Sequence, residues 1–169
     1  MAETREIRSD YLLKTVVISR AFDAPRRLVF EAWSTADHLK RWFSPEHYTV
    51  SAAEVDFRPG GVFSVCMRSP TGQEHWSRGA FVDLSPPDRL SFVSRVSEGD
   101  LSLFTAYTTV NFEETAEGTL MTVQQAYEIH DEHAQFAIDG APEGWRTTLD
   151  KLGVEVARLA AASAAPPRR

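Results

Sequence analysis

The chain has 169 residues, which is enough for one domain with a sizeable hydrophobic core. Its formal net charge of -6 argues against a nucleic-acid partner or an anionic membrane surface, because both are polyanions. Cys66 is the single cysteine, which excludes an internal disulfide framework and fits a reducing compartment. No apolar run approaches the length of a membrane span, and the first residues lack the apolar region of a secretory signal, so we expect a cytoplasmic protein.

The sequence divides into a short polar leader, one domain and a tail. Strand and helix patterns begin at residue 14 and end near residue 160. The last residues lack bulky apolar side chains and finish with two prolines and two arginines, which is typical of a frayed terminus. We therefore predict a leader over 1–13, a domain over 14–160 and a disordered tail over 161–169.

The first part of the domain predicts a strand and two short helices. The β-branched run KTVVISRAFD starts at Lys14 and ends where Asp23 and Pro25 provide a helix-start signal. Apolar residues then recur at helical spacing in PRRLVFEAW, and a second start at Ser34-Thr35 opens ADHLKRWF. Two short helices therefore follow the first strand.

The middle of the chain predicts six further strands. Each candidate run is rich in β-branched or aromatic residues, and the runs are TVSAAEVDF, VFSVCM, HWSRGAFVDL, RLSFVSRV, LFTAYTTVNFEE and GTLMTVQQAYE. Short turn signals such as SPTGQE, SPPD and SEGD separate them. This even spacing predicts an antiparallel meander. In the third run, alternation leaves open whether the set containing His75 or the set containing Trp76 faces the core.

The last strong element is a long helix, GWRTTLDKLGVEVARLA. Its apolar residues recur at steps of three and four and form one stripe, which consists of Trp145, Leu149, Leu152, Val156 and Leu159. A stripe of this length needs a partner surface, and the sheet is the large surface that the other elements provide. The sequence therefore predicts an α+β domain in which a curved antiparallel sheet of about seven strands packs on a long C-terminal helix.

The stretch VDFRPGGVFSV could be a phosphate-binding loop or a tight turn. A Walker loop needs Gly-Lys-Ser/Thr before a helix, and a dinucleotide loop needs three spaced glycines in the same position. Here Gly60 and Gly61 precede a strand, with no lysine and no helix N-terminus to hold an anion. Pro59 suits the second position of a β-turn, and glycine accepts positive φ. We therefore predict a hairpin at which both glycines have positive φ.

Two pairs of polar residues could carry chemistry but have simpler interpretations. Glu54 and Asp56 could form a paired-carboxylate site, but alternation places them on the solvated face of a strand. His130 and His133 have a spacing that suits two metal ligands, but no third ligand is evident. We interpret the histidines as part of a polar connection before the last helix. The sequence predicts no metal and no cofactor.

Single residues also suggest no catalyst. Cys66 lies between Val65 and Met67 in a predicted strand, where a small buried hydrophobe is commoner than a nucleophile. Arg20 and Arg78 could orient a carboxylate, but ion-paired arginines are commoner on strands. The serine-hydrolase elbow Gly-x-Ser-x-Gly does not occur in the sequence. We therefore predict no catalytic residue.

Six motifs in order resemble the bacterial homologues of the activator of the heat-shock-chaperone ATPase, a family within the START-like, or SRPBCC, helix-grip superfamily. These motifs are SRAFDAPRRLVFEAW, HLKRWF, DFRPGGVF, GAFVDLSPPDRLSF, GTLMTV and GWRTTLDKL. The resemblance covers residues 14–160 and implies a seven-stranded sheet that grips the C-terminal helix, with an apolar cavity between them. It implies no single activity, because the superfamily includes carriers, receptors, cyclases and co-chaperones.

Aromatic and aliphatic side chains on these elements are the candidates for a ligand pocket. Aromatic residues make up 11% of the chain, and large flat side chains beside a sheet–helix gap suit an apolar ligand. The predicted pocket residues are Trp42, Phe43, Phe63, Val65, Met67, Trp76, Phe92, Tyr107, Trp145 and Leu149. For any one of the aromatic residues, plain core packing is the competing interpretation.

Three functions follow, in order of preference. The first is a module that binds a small apolar molecule. The second is a cyclase- or hydrolase-like enzyme, which would need polar groups such as Arg20, Cys66, His75 and Arg78 to converge in the cavity. The third is a stress-related co-chaperone. A chaperone partner is disfavoured because the eukaryotic activator carries a separate domain ahead of this one, where this sequence has a short leader. A homodimer is left open.

Overall fold

The computed structural model describes residues 14–166, so the predicted leader over 1–13 and residues 167–169 lie outside the described residues. The elements in that range are β1 (Lys14–Phe22), α1 (Arg26–Glu31), α2 (Ala36–Trp42), β2 (Thr49–Val55), β3 (Val62–Arg68), β4 (Glu74–Ser85), β5 (Arg89–Glu98), β6 (Leu101–Thr115), β7 (Gly118–Ile129), α3 (Ala134–Asp139) and α4 (Ala141–Ala164). Within this range, no helix is long and apolar enough to cross a membrane.

The strands form one antiparallel seven-stranded sheet in the order β1-β7-β6-β5-β4-β3-β2. Strands β2 to β7 follow one another as the predicted meander, and the meander is confirmed. Helices α1 and α2 carry the chain from β1 at one edge to β2 at the other. A register shift between Phe81 and Asp83 interrupts the pairing of β4 with β5, and such irregularities bend a sheet.

Helix α4 packs its apolar stripe against the sheet and the two short helices. Leu149 and Leu152 have no exposed surface, and Val156 and Leu159 are also buried. The guanidinium of Arg20 on β1 donates to the Asp150 carboxylate over 2.8 Å, which links the edge strand to the helix. These contacts confirm the predicted helix-grip fold.

A buried carboxylate joins α2 to α4. Glu155 is 3% exposed, and its Oε1 atom accepts from Arg158 Nη2 over 2.5 Å. His38 Nδ1 on α2 lies 3.3 Å from the same oxygen, and Arg41 Nε lies 3.7 Å from Oε2. Because a buried carboxylate is tolerated when it is paired and hydrogen-bonded, these partners allow Glu155 to lie inside the helix packing.

The connection between β7 and α4 differs from the prediction. The segment predicted as a polar connection contains the short helix α3, which buries only Ala134 and Ile138. Two apolar anchors in six residues are too few for a readable periodicity. Helix α4 begins at Ala141 and continues to Ala164, so residues 161–164 of the predicted disordered tail are helical. Alanine favours helix without needing a packing partner, which explains this extension.

The Arg58–Gly61 stretch is a turn between β2 and β3, and the predicted hairpin is confirmed. The Gly61 amide donates to the Arg58 carbonyl over 2.8 Å, which closes a four-residue turn. Gly60 has a φ of 77°, as the third residue of a type II turn requires. Gly61 does not have positive φ, so the prediction was wrong on that residue. A Cβ atom there would lie 2.0 Å from the Asp56 carbonyl oxygen.

The two glycines therefore differ in what a side chain would disturb. Gly60→Ala places a Cβ in open space but forces alanine into positive φ, so we expect a loss of about 1–2 kcal/mol of unfolding free energy. Gly61→Ala pushes a Cβ into the backbone, so we expect a larger loss, up to about 3 kcal/mol. Urea unfolding of both variants tests this order. Equal losses, or a larger loss for Gly60→Ala, would contradict it.

Candidate ligand-binding cavity

A cavity of about 440 Å³ lies between the inner face of the sheet and the first turns of α4. Strands β3 to β7 form one wall, and α3 together with the first turns of α4 forms another. Pro45 and Tyr48, in the segment that leads from α2 to β2, complete the lining. Phe136 of α3 borders the cavity with 90% of its surface exposed, which places it at the mouth.

Hydrogen bonds from Lys151 attach the segment between α2 and β2 to helix α4. The Lys151 Nζ donates to Ser44 Oγ over 3.0 Å and to the carbonyl oxygens of Pro45 and Tyr48 over 2.9 Å each. Partial burial lowers the pKa of Lys151 from its ordinary value. These three hydrogen bonds hold two lining residues, Pro45 and Tyr48, at a defined position beside α4.

The structure decides which face of β4 meets the cavity side. Ser77 and Phe81 are buried on the inner face, and His75 on the same face lines the cavity. Trp76 and Arg78 lie on the outer face, where the Arg78 guanidinium is 3.9 Å from the centre of the Trp76 ring. The set of residues that contains His75 therefore faces inward.

Four of the predicted pocket residues line the cavity, namely Phe43, Met67, Phe92 and Trp145. They come from the end of α2, from β3, from β5 and from the first turn of α4. The ring centroid of Phe43 lies 6.0 Å from that of Trp145 and 6.4 Å from that of Phe92, so these three rings form one aromatic surface. That these side chains contact a ligand stays a prediction.

The other predicted pocket residues do not line the cavity, contrary to prediction. Four of them fill the core with no exposed surface, namely Trp42, Phe63, Val65 and Leu149. Trp76 and Tyr107 lie on the outer face of the sheet, and the Tyr107 hydroxyl donates to Glu128 Oε2 over 2.9 Å. Residue type does not distinguish a core filler from a lining residue, and alternation was ambiguous for β4. For these two reasons the sequence placed core and outer-face residues among the cavity-lining ones.

A polar cluster that the sequence analysis missed lies in the cavity wall. We call Gln125, Tyr127 and Trp145 the Gln125 cluster. The Gln125 Oε1 atom accepts from Trp145 Nε1 over 2.9 Å and from the Tyr127 hydroxyl, and Gln125 Nε2 donates to Thr108 Oγ1 over 2.8 Å. The signal was present, since Gln125 follows Met121 and Val123 at inward-facing positions of β7, where an apolar residue is expected.

A second polar pair lines the cavity on neighbouring strands. His75 Nε2 on β4 lies 3.4 Å from Glu98 Oε2 at the end of β5. Gln73 Nε2 donates to the other oxygen of Glu98. The side chains of His75 and Glu98 are 24% and 41% exposed, so this pair is more accessible than Tyr127 and Trp145, which are buried.

The other groups considered for catalysis do not reach the cavity. Arg20 is bound to Asp150, and Arg78 lies over Trp76 on the outer face. Cys66 is buried on that outer face, directly opposite Trp76, and burial raises the pKa of its thiol. A thiol whose pKa is raised in this way is a poor nucleophile. Of the four polar residues considered, His75 alone lines the cavity.

The two histidines with metal-ligand spacing do not share a site. The His130 ring nitrogens lie 2.7 Å from Ser102 Oγ and 3.2 Å from Thr105 Oγ1. His133 Nδ1 lies 2.5 Å from Asp131 Oδ1, and this hydrogen bond raises the pKa of His133. Among residues 14–166, no group of three His, Cys, Asp or Glu side chains is placed to hold a metal ion.

Comparison with known proteins gives the family. A protein from Rhizobium leguminosarum is 28% identical with a TM-score of 0.76, over 86% of this chain and 95% of that one. A protein from Nitrosomonas europaea is 26% identical with a TM-score of 0.73, over 87% and 96% of the two chains. The AHSA1 protein from Silicibacter pomeroyi has the same fold, at 22% identity and a TM-score of 0.71 over 86% and 99% of the chains.

None of the curated proteins matches the chain. The family model described as "Activator of Hsp90 ATPase homolog 1-like protein" matches residues 23–157, which is most of the chain. This match confirms the resemblance that the motifs indicated. The chain therefore belongs to the activator of Hsp90 ATPase homolog 1-like family.

Proposed function

We propose that this protein binds a small, largely apolar molecule in the cavity between the sheet and α4. The observation that carries the proposal is the cavity itself, whose volume of about 440 Å³ lies in the range of small-molecule sites. Its lining is mostly apolar and aromatic, with a few polar groups held in place by neighbours. Burial of an apolar molecule against such a wall is favourable by roughly 25 cal/mol for each Å² removed from water.

Binding is better supported than catalysis. Three of the four residues considered for chemistry point away from the cavity or are engaged elsewhere. His75 is therefore the one of the four that lines the cavity, and it has none of the other three as a partner. Tyr127 and Trp145 of the Gln125 cluster are buried, and hydrogen bonds within the cluster hold its side chains in position, which suits recognition of a ligand. Polar groups fixed in this way orient a ligand within an apolar site.

The experiment is a titration with N-phenyl-1-naphthylamine, a neutral apolar dye whose fluorescence rises in apolar surroundings. We expect saturable binding with one site per chain. Gly144→Leu should abolish it, because Gly144 lines the cavity next to Pro45 and an added Cβ would already contact the Pro45 Cβ at 3.9 Å, so the larger leucine side chain should occupy cavity space. Thermal stability should be retained, since replacing a glycine inside a helix favours the helix by about 1 kcal/mol.

The matched control is Ala157→Leu, an exposed position on the same helix away from the cavity. This variant should bind the dye as the unaltered protein does. Linear, non-saturable fluorescence in the unaltered protein, or equal binding by the Gly144→Leu protein, would contradict the proposal.

A further inference from the structure

Three hydrogen atoms of the Gln125 cluster bind partners inside the protein, one each from the Trp145 indole, the Tyr127 hydroxyl and the Gln125 amide. An indole nitrogen is a donor only, so the Gln125 atom that lies 2.9 Å from Trp145 Nε1 must be the carbonyl oxygen. The amide nitrogen then faces Thr108, as observed. The Tyr127 hydroxyl in turn donates its hydrogen to the Gln125 oxygen. The Trp145 side chain also interacts with the Tyr127 hydroxyl and lowers its pKa against the larger effect of burial. The indole N–H itself donates to the Gln125 oxygen over 2.9 Å, so the Tyr127 oxygen keeps acceptor capacity.

Tyr127 holds this hydrogen firmly at neutral pH. The residue is 2% exposed, and burial raises the pKa of its hydroxyl to about 12. Its hydrogen therefore stays directed at Gln125, and its oxygen is presented as an uncharged acceptor beside an aromatic wall.

The charges around the cavity disfavour an anionic ligand. Within residues 14–166, no lysine or arginine lines the cavity, while the Glu98 carboxylate does. The two lining histidines each lie beside a carboxylate, His75 at 3.4 Å from Glu98 and His133 at 2.5 Å from Asp131. Any positive charge on them is therefore already paired. A buried anion without a free cation is strongly unfavourable.

We infer that the ligand is a neutral apolar molecule with a hydroxyl group, and that this hydroxyl donates a hydrogen bond to the Tyr127 oxygen. The inference rests on the proposed function and adds the chemical class of the ligand. A hydroxyl also accepts, so it can use the second N–H of Gln125 or the hydroxyl of Ser94, which lines the cavity. A ketone could not donate to Tyr127, and a carboxylate would face Glu98 without a counter-charge.

The test uses three molecules with the same apolar body: 4-phenylphenol, biphenyl and biphenyl-4-carboxylate. Each is titrated against bound N-phenyl-1-naphthylamine at pH 7, where a phenol remains neutral because it titrates at about pH 10. We expect 4-phenylphenol to displace the dye at about a tenfold lower concentration than biphenyl, as one hydrogen bond of about 1 kcal/mol or slightly more predicts. The carboxylate should be the weakest competitor of the three.

Conservative variants identify the groups responsible. Tyr127→Phe should remove most of the advantage of 4-phenylphenol over biphenyl, while Tyr107→Phe, which removes a hydroxyl from the outer face, should preserve it. Glu98→Gln should strengthen displacement by the carboxylate relative to displacement by biphenyl. Glu54→Gln, on the exposed face of β2, is the control for that change.

The outcomes separate the two proposals. Displacement by biphenyl-4-carboxylate at the same or a lower concentration than 4-phenylphenol would overturn the ligand class and leave the apolar site standing. An unchanged advantage of 4-phenylphenol in the Tyr127→Phe protein would overturn the role of Tyr127. If the dye itself shows no saturable binding, the proposed function fails, and the ligand class fails with it.

Discussion

Replacement of Trp42 with alanine is expected to lower the free energy of unfolding by about 3–5 kcal/mol. Trp42 has no exposed surface, and its ring centroid lies 4.7 Å from that of Trp33 and 5.3 Å from that of Phe43. Its Nε1 donates to the Ala32 carbonyl over 2.8 Å, so the substitution also leaves a buried acceptor without a partner. Urea unfolding monitored by far-UV circular dichroism measures the loss.

Trp76→Ala is the matched control for Trp42. Trp76 lies on the outer face and stacks on Arg78, so we expect its replacement to lower the free energy of unfolding by about 1 kcal/mol, which is typical of an exposed cation–π contact with partial burial. Binding of the fluorescent dye should survive in the Trp76→Ala protein. Similar losses for the two tryptophans would contradict the assignment of Trp42 to the core.

Leu152→Ala is expected to cost about 2–5 kcal/mol of unfolding free energy. Leu152 is fully buried where α4 crosses the inner face of the sheet, and truncation there creates a cavity in a closely packed region. Where the loss falls within this range depends on how far the neighbouring side chains relax into the space that the leucine leaves. The loss should appear as a shift in the urea midpoint at a constant m-value, as a two-state domain requires.

Val154→Ala provides the comparison on the same helix. Val154 is 73% exposed, so its truncation removes little buried surface and should change stability by less than about 0.5 kcal/mol. The Leu152 prediction would be refuted by a loss of that same small size, because such a value would place the leucine at the surface and undo the helix-grip packing.

The fold was predictable because its elements are long and strongly patterned. Runs of β-branched and aromatic residues between turn signals identified the strands, and the stripe from Trp145 to Leu159 identified α4 and the face that packs. The same physics explains what was missed, since α3 has six residues with two buried anchors. Gly61 was predicted to have positive φ from its residue type alone. Glycine is required there for another reason, because the Asp56 backbone lies too close for a Cβ atom, and only the three-dimensional path of the turn shows this.

The site was predictable only in part. Phe43 and Trp145 line the cavity, but Trp42, next to Phe43 in sequence, is entirely core. Core filling and pocket lining recruit the same residue types, and a helix turn of 100° per residue separates the two roles. Gln125 offered a better signal, because an amide at an inward-facing position of a strand must find partners. Polar residues that break an apolar alternation thus indicate the site more directly than aromatic ones do.

Helix α4 divides its two tasks along its length, and this division bears on how such proteins diverge. Gly144, Trp145 and Thr148 near its start border the cavity, while Leu152 and Val156 further along it hold the sheet. On the proposed function, substitutions at the lining positions of the first turns would alter which molecule is accepted, while the packing positions further along the helix stay unchanged. For relatives that share this architecture, the proposed function then predicts that the lining positions of this helix vary more freely than its packing positions.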